Sequence, residues 1–182
     1  MKNLLLATLL LVASALSAQT MQGNWLMGGS AGFSSSTVDV DGAEAFTVIH
    51  ISPDLGYFIM DNLAVGAAID FTSSSSNGSS GSSFSAGPFV RYYFANLGEK
   101  AKLFGQGQFT FGSETPFGED DSVSSTAWEI KAGLAWFLNN HVALEAALGY
   151  GSHKPGDENG VAGIATNRFG LEIGFQIHLG AE

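Results

Sequence analysis

Large apolar side chains and small or polar side chains alternate with a period of two along residues 49–71. From Leu63 to Phe71 every second side chain is apolar, and all of these but Ala67 are large, whereas the positions between carry Ala, Gly or Asp. Such alternation is typical of a β-strand whose two faces lie in different environments. Residues 49–59 repeat the pattern, and Met60-Asp61-Asn62 supplies turn residues between the two runs. The stretch therefore predicts a β-hairpin with one apolar face.

The alternation recurs in eight segments, which predict strands near 24–35, 45–59, 63–73, 84–94, 101–113, 125–138, 142–152 and 167–179. Short connections at 60–62, 95–100 and 138–141 alternate with long polar ones at 36–44, 74–83, 114–124 and 153–166. The Ser/Gly-rich segment 73–83 is predicted to be a flexible loop. Pro53 and Pro88 lie inside strands, where a missing N–H predicts a bulge or a place where the strand leaves the hydrocarbon zone. Eight strands with this loop pattern predict an all-β, eight-stranded antiparallel up-and-down transmembrane β-barrel with both termini on the periplasmic side.

Alternation alone also fits a soluble barrel of lipocalin type, so the positions of the aromatic residues are the stronger criterion. They fall near both ends of the predicted strands, with aliphatic residues between them. Two aromatic bands around an aliphatic middle are typical of the two lipid interfaces. The predicted bands comprise Trp25, Tyr57, Tyr92, Phe94 and Trp136 at the short-turn end, and Phe33, Phe71, Phe84, Phe111, Trp128, Tyr150 and Phe169 at the long-loop end.

The opposite face carries small residues and a nearly balanced set of charges. We predict a structural polar network in the lumen, formed by Asp54, Asp70, Arg91, Lys102, Glu129, Lys131, Glu145, Arg168 and Glu172. Buried charges are costly unless paired, so these groups are expected to pair across the lumen and plug it. A narrow pore is the alternative, although side chains can fill the interior of eight strands.

The first eighteen residues have the layout of a secretory signal peptide, with one basic residue, a short apolar run and small residues after it. Cleavage after Ala18 is predicted, with Ala13-Ser14-Ala15 as a second candidate site, so that residues 19–182 form the barrel domain. The chain contains no cysteine, which excludes a disulfide framework and a lipid-attachment cysteine.

The chain has only 13% charged residues yet a formal net charge of −10, which disfavours nucleic-acid binding. The acidity concentrates in the predicted long loops, at Asp39, Asp41, Glu44, Glu114, Glu119, Asp120, Asp121, Asp157 and Glu158. These loops are candidates to bind divalent cations or an extracellular partner, with solvated loops as the alternative. Their spacing does not follow the calcium-loop pattern, so no metal ligand is assigned.

Candidate catalytic chemistry is sparse. Hydrolytic catalysis commonly needs a nucleophile, a base and an orienting group close together. Ser152 and His153 are the one candidate pair, and they are predicted to lie solvated at a loop end. No catalytic residue, cofactor site or metal site is predicted.

Three segments together resemble the small outer-membrane barrels related to the OmpA-type and OmpX-type transmembrane domains of Gram-negative bacteria: GYFIMDNLAVGAAI at 56–69, GPFVRYYF at 87–94 and RFGLEIGFQIHL at 168–179. The resemblance covers nearly the whole chain after the signal and implies the fold and an outer-membrane location. In that family the last strand commonly ends in an aromatic residue, whereas here Leu179 is followed by Gly180-Ala181-Glu182.

The leading functional hypothesis is a non-enzymatic integral outer-membrane barrel with acidic external loops and a structural or surface-interaction role. A narrow channel and a lipid-modifying barrel enzyme are the alternatives. The expected partners are outer-membrane lipid and the barrel assembly machinery, and the expected state is a monomer.

Overall fold

The computed structural model describes residues 19–36, 45–119, 121–156 and 163–180. The predicted signal peptide lies outside the described residues. The strands are β1 Trp25–Ser36, β2 Phe46–Met60, β3 Leu63–Ser76, β4 Ser79–Leu97, β5 Ala101–Thr115, β6 Val123–Phe137, β7 Val142–Pro155 and β8 Thr166–Leu179. Each strand pairs antiparallel with its neighbours in chain order, and β8 pairs with β1 to close the barrel. The predicted fold class is therefore confirmed.

The predicted flexible loop at 73–83 is wrong. β3 and β4 continue through it to a two-residue turn at Asn77-Gly78, where Ser76 pairs with Ser79. Both turn residues have positive φ, 49° and 76°, as a tight type I′ hairpin turn requires, and Asn-Gly is the preferred sequence for it. The serine content suggested flexibility, whereas the Asn-Gly dipeptide within it was the informative signal.

Two other predicted loop positions lie inside strands. Glu114 belongs to β5 and His153 to β7, because both strands extend further toward the long-loop end than their alternation indicates. The two prolines do not mark bulges: the β2–β3 and β4–β5 registers keep the same offset on both sides of Pro53 and Pro88. The register shifts lie instead between Phe58 and Met60 and between Tyr93 and Ala95.

The apolar face points outward. All twelve residues of the predicted aromatic bands are at least 39% exposed, and several are paired across strands, as Trp25 with Tyr57 and Tyr150 with Phe169. Within the described residues, no helix has the length and apolarity needed to cross a membrane. A carrier of lipocalin type would hide its large apolar face, so this arrangement contradicts the soluble alternative.

The seam between β1 and β8 is the least complete junction of the barrel. Their pairing runs only from Trp25–Leu179 to Ser30–Gly174. Above these six pairs β1 continues to Ser36 and β8 begins at Thr166, yet among the described residues no further pair joins the two strands. The barrel is thus continuous at the end that carries its short turns, called the periplasmic end below, and unzipped along one seam toward the opposite, external end.

Candidate functional site

The residues just before β1 close the periplasmic mouth. Thr20 accepts a hydrogen bond from the backbone N–H of Asn62 and donates its hydroxyl to the Asn62 side chain, so the segment is tied to the β2–β3 turn. Lys102 reaches this segment from β5, and its Nζ lies 2.8 Å from Thr20 Oγ1 and 3.2 Å from Asn62 Oδ1. The Lys102 ammonium is buried with no carboxylate within 4.0 Å among the described residues.

An aromatic layer fills the lumen directly above this mouth. The His178 ring lies 5.1 Å from the Phe137 ring and 5.9 Å from the rings of Phe58 and Tyr93. Phe104 joins through Tyr93 at 5.9 Å. All five side chains are at most 3% exposed. The sequence analysis predicted a lumen of polar character throughout, so this apolar layer is a correction.

A charged cluster centred on Arg91 lies on top of the aromatic layer. Arg91 Nη1 donates to both carboxylate oxygens of Glu145 at 2.8 and 3.0 Å, and its Nε donates to Gln106 Oε1 at 2.7 Å. Asp54 lies 3.9 Å from Arg91 Nη2 and accepts two hydrogen bonds from the Gln176 amide. The guanidinium also covers the Phe104 ring, with Cζ 4.5 Å from the ring centre. Hydrogen bonds between charged groups are among the stronger ones in proteins, and through them Arg91 of β4 links β2, β5 and β7.

A second charged cluster, centred on Lys131, lies on the external side of the Arg91 cluster. Lys131 Nζ is 2.8 Å from Glu172 Oε2 and 3.6 Å from Glu129 Oε2. Between it and the Arg91 cluster is a cavity of about 30 Å³, which is room for about two water molecules. The lumen is therefore filled by side chains over its periplasmic and middle parts.

The external end of the lumen opens into a larger cavity of about 400 Å³, called the external cavity below. Hydroxyls from several strands line it together with His50, Asp70, Glu114, His153 and Arg168. His153 Nε2 lies 2.5 Å from Glu114 Oε2, and Asp70 accepts a hydrogen bond from Ser52 at 2.5 Å. Glu114 was expected in an external acidic loop, and its contact with His153 at the rim of the lumen corrects that expectation.

The predicted polar network is thus brought together only in part. Six of its nine members form the Arg91 and Lys131 clusters: Asp54, Arg91, Glu129, Lys131, Glu145 and Glu172. Lys102 binds neutral oxygens instead. Asp70 and Arg168 line the external cavity, and neither has an oppositely charged group within 4.0 Å among the described residues.

The sequence subsection does not predict the aromatic layer. A usable signal was present: Phe58, Tyr93 and Phe104 each lie an even number of residues after a predicted lumen position of the same strand, namely Asp54, Arg91 and Lys102. Period-two counting places them on the inner face. The local register shifts after Phe58 and Tyr93 then separate these inward rings from the outward aromatic band.

The one candidate catalytic pair is not assembled. Ser152 and His153 are consecutive residues of β7, so their side chains leave opposite faces of the strand. The His153 ring is engaged by Glu114. Within the described residues no group of three or more metal-binding side chains lies close enough to hold an ion. Of the predicted acidic loop residues, Asp39, Asp41, Glu44, Asp120, Asp157 and Glu158 lie outside the described part of the chain.

Comparison with solved structures finds other eight-stranded outer-membrane barrels. The N-terminal β-barrel domain of OprF from Pseudomonas aeruginosa has a TM-score of 0.56 at 14% identity, covering 87% of this chain and 98% of that one. OprG from the same organism has a TM-score of 0.53 at 15% identity, covering 90% and 99%. Neisserial surface protein A has a TM-score of 0.53 at 18% identity, covering 86% and 97%. At these identities the likeness concerns the fold.

Comparison with curated protein sequences finds no match. A family model described as the outer membrane protein beta-barrel domain matches residues 4–180, which is nearly the whole chain. The chain belongs to this family, and it is an eight-stranded antiparallel β-barrel of the outer membrane of Gram-negative bacteria.

Proposed function

We propose that this protein is a non-conducting, non-enzymatic barrel whose working surface is its external end. The observation that carries the proposal is the closure of the lumen by the aromatic layer and the Arg91 cluster. Phe58, Phe104 and Arg91 are at most 2% exposed, whereas a continuous water path would wet at least one of them. The external cavity therefore ends blindly above the Arg91 and Lys131 clusters.

A non-enzymatic role is supported by the arrangement of the candidate nucleophile and base. Ser152 and His153 are consecutive residues of β7, so their side chains leave opposite faces of the strand. A hydroxyl on the opposite face of the strand lies outside hydrogen-bond reach of that imidazole, so it cannot transfer its proton to the ring. The lipid-modifying alternative loses its one candidate pair.

A surface role is supported by the ordered hairpin that β3 and β4 extend beyond the Phe71–Phe84 pair. Near its tip the hairpin touches the β5–β6 connection: the Gly118 N–H donates a hydrogen bond to the Ser80 carbonyl, and the Phe117 ring packs against Phe46. This part of the hairpin has few apolar side chains and is held mainly by backbone hydrogen bonds between its strands, which suits an element that projects into water. We propose this hairpin and the neighbouring acidic residues Glu119 and Asp121 as the place where an extracellular partner or cations would bind.

The same proposal makes the protein a monomer in lipid that depends on the barrel assembly machinery for insertion. Every strand pairs with both of its neighbours, β1 and β8 over six residue pairs, so no strand offers a free edge along its full length to another copy. Analytical ultracentrifugation in a density-matched detergent tests the monomer, and a sedimentation mass of two chains contradicts it.

Planar-bilayer recording of the purified, heat-modifiable protein tests the closed lumen. The wild-type protein is expected to give no steps above the bare bilayer. Shortening the aromatic layer with Phe58→Ala and Phe104→Ala is expected to introduce conductance, whereas Phe94→Ala on the lipid face is not. Steady channels from the wild-type protein would overturn the proposal.

A further inference from the structure

The external cavity is polar over almost its whole lining. Among the residues that line it, only Ala127 and Trp128 carry apolar side chains, and Trp128 belongs to the outward aromatic band. The volume of about 400 Å³ is in the range of small-molecule sites, but such sites are mostly lined by apolar and aromatic side chains. A lining of this composition favours a ligand that is hydrophilic over its whole surface.

Serine and threonine residues at inward positions of five strands line this cavity, namely Thr72, Ser83, Ser85, Thr110, Ser125 and Thr166. The Thr72 hydroxyl bonds to His50, whereas the other five side chains make no hydrogen bond to any described residue. Thr110 and Ser125 are nevertheless only 3% and 6% exposed. Buried polar groups in proteins nearly always have a hydrogen-bond partner. These two hydroxyls therefore mark a surface that a polar ligand can complete.

The strand register places several of these hydroxyls in one row with a carboxylate. Asp70 pairs with Ser85, Ser85 with Gly112, and Gly112 with Ser125, so the row crosses four neighbouring strands about 4.8 Å apart. Gly112 has no side chain that would project between the two serines. Thr110 lies on the same face of β5 as Gly112, two residues away. Asp70, Ser85, Thr110 and Ser125 thus form one continuous polar surface, called the hydroxyl wall below.

The cavity carries an excess of negative charge. Its lining contains the carboxylates of Asp70, Glu114, Glu129 and Glu172 and the guanidinium of Arg168, and the ammonium of Lys131 lies beneath, paired with Glu129 and Glu172. With both lining histidines neutral, four negative and two positive charges leave an excess of two among the described residues. A proton on His153, which contacts Glu114, reduces the excess to one. The cavity therefore disfavours an anionic ligand.

Asp70 is the place where a ligand cation would bind. Of the four cavity carboxylates, it alone has no basic side chain within 4.0 Å among the described residues. It accepts a hydrogen bond from the Ser52 hydroxyl, which leaves further lone pairs of the carboxylate for a ligand. Arg168 lies on β8, three strands from β3 around the barrel, so its positive charge repels a cation from the far side of the cavity.

We propose that the external cavity is a binding site for a soluble amino sugar. The sugar hydroxyls bond to the hydroxyl wall, because sugar, serine and threonine hydroxyls can each donate and accept. The sugar ammonium binds the Asp70 carboxylate through charge-assisted hydrogen bonds, which are among the stronger ones. This site goes beyond the proposed function, because it concerns the interior of the barrel and its test reads neither conductance nor the binding of a partner at the external hairpin.

Saturation-transfer difference NMR on the purified barrel, in a detergent without a sugar head group, tests the ligand class. The probes are glucosamine, glucose, glucuronate and n-butylamine. Glucosamine is expected to bind at least about tenfold more tightly than glucose, and glucuronate more weakly than glucose. Glucose binding as tightly as glucosamine would overturn the proposal. Butylamine binding as tightly as glucosamine would also overturn it, because the site would then recognise an amine without the sugar.

Two variants test the assigned groups. Asp70→Asn is expected to weaken glucosamine binding at least about tenfold and to leave glucose binding within about twofold. Thr110→Val is expected to weaken the binding of both sugars by about fivefold, as for the loss of one neutral hydrogen bond. The Thr110 hydroxyl has no partner among the described residues, so its removal is expected to leave the fold intact. The heat-modifiable gel shift checks the fold of both variants.

Matched controls locate the site. Glu99→Gln makes a similar charge change in the β4–β5 turn at the periplasmic end, and Thr126→Val makes the same change as Thr110→Val at an exposed position of β6 outside the cavity lining. Both controls are expected to bind glucosamine like the wild type. A loss in either control equal to that in its cavity variant contradicts the location, as does wild-type binding of glucosamine by folded Asp70→Asn. Retention on chitosan beads that excess glucosamine fails to compete would assign the external surface instead and refute the cavity.

Discussion

Neutralising Arg91 without changing its bulk tests whether the charged cluster holds the barrel together. Arg91→Met keeps most of the side-chain volume but removes both Nη1 bonds to Glu145 and the Nε bond to Gln106. Glu145 is only 8% exposed and has no other cation within 4.0 Å among the described residues. Its carboxylate would remain buried and unpaired, next to the carboxylate of Asp54.

The expected cost follows from that uncompensated charge. Removing one partner of a buried pair typically costs about 3–5 kcal/mol, and the lost contact of the guanidinium with the Phe104 ring adds about 0.5–1 kcal/mol. We therefore expect Arg91→Met to lower the free energy of unfolding by about 4 kcal/mol. This corresponds to roughly a thousandfold change in the folding equilibrium constant.

Urea unfolding of the protein in lipid vesicles, followed by tryptophan fluorescence and by the heat-modifiable gel shift, measures this change. Arg168→Met is the matched control: Arg168 is exposed and makes no ion pair with any described residue, so the variant is expected to stay within about 0.5 kcal/mol of the wild type. The double variant Arg91→Met/Glu145→Gln removes the orphaned charge and is expected to recover more than half of the loss. An Arg91→Met protein within about 1 kcal/mol of the wild type would refute the reasoning.

Two further predictions concern packing and membrane depth. Gly66→Ala would place its Cβ 2.2 Å from a backbone oxygen and 2.7 Å from the Phe89 ring, so we expect the free energy of unfolding to fall by about 1–3 kcal/mol. Gly107→Ala is the control, because the space around Gly107 is open. Equal stability of the two variants would contradict a tightly packed lumen. The three tryptophans lie in the predicted aromatic bands, so brominated lipids should quench their fluorescence most when the bromines lie near the head groups; strongest quenching from the bilayer centre would count against the bands.

The sequence by itself determined the strands, their number and which face of each meets lipid. Period-two alternation fixes the face of every side chain from Leu63 to Phe71 without reference to any other strand. An aromatic residue is assigned to a band from its position along its own strand alone, so the bands could be predicted without knowing how the strands pair. The Asn77-Gly78 turn could also have been predicted from the sequence, although the surrounding serines suggested a flexible loop instead.

The tertiary structure decided which inward side chains meet. Arg91 and Glu145 are far apart in the chain, and their contact depends on the stagger accumulated across the intervening strands. Alternation predicts which face of the strand a side chain occupies, but not how far along the barrel axis it lies. It therefore could not separate the aromatic layer around His178 from the charged clusters, or predict that Lys102 binds Thr20. The seam has the same origin: β1 and β8 each show ordinary strand alternation, and only the closure of the barrel determines that their pairing ends at Ser30 and Gly174.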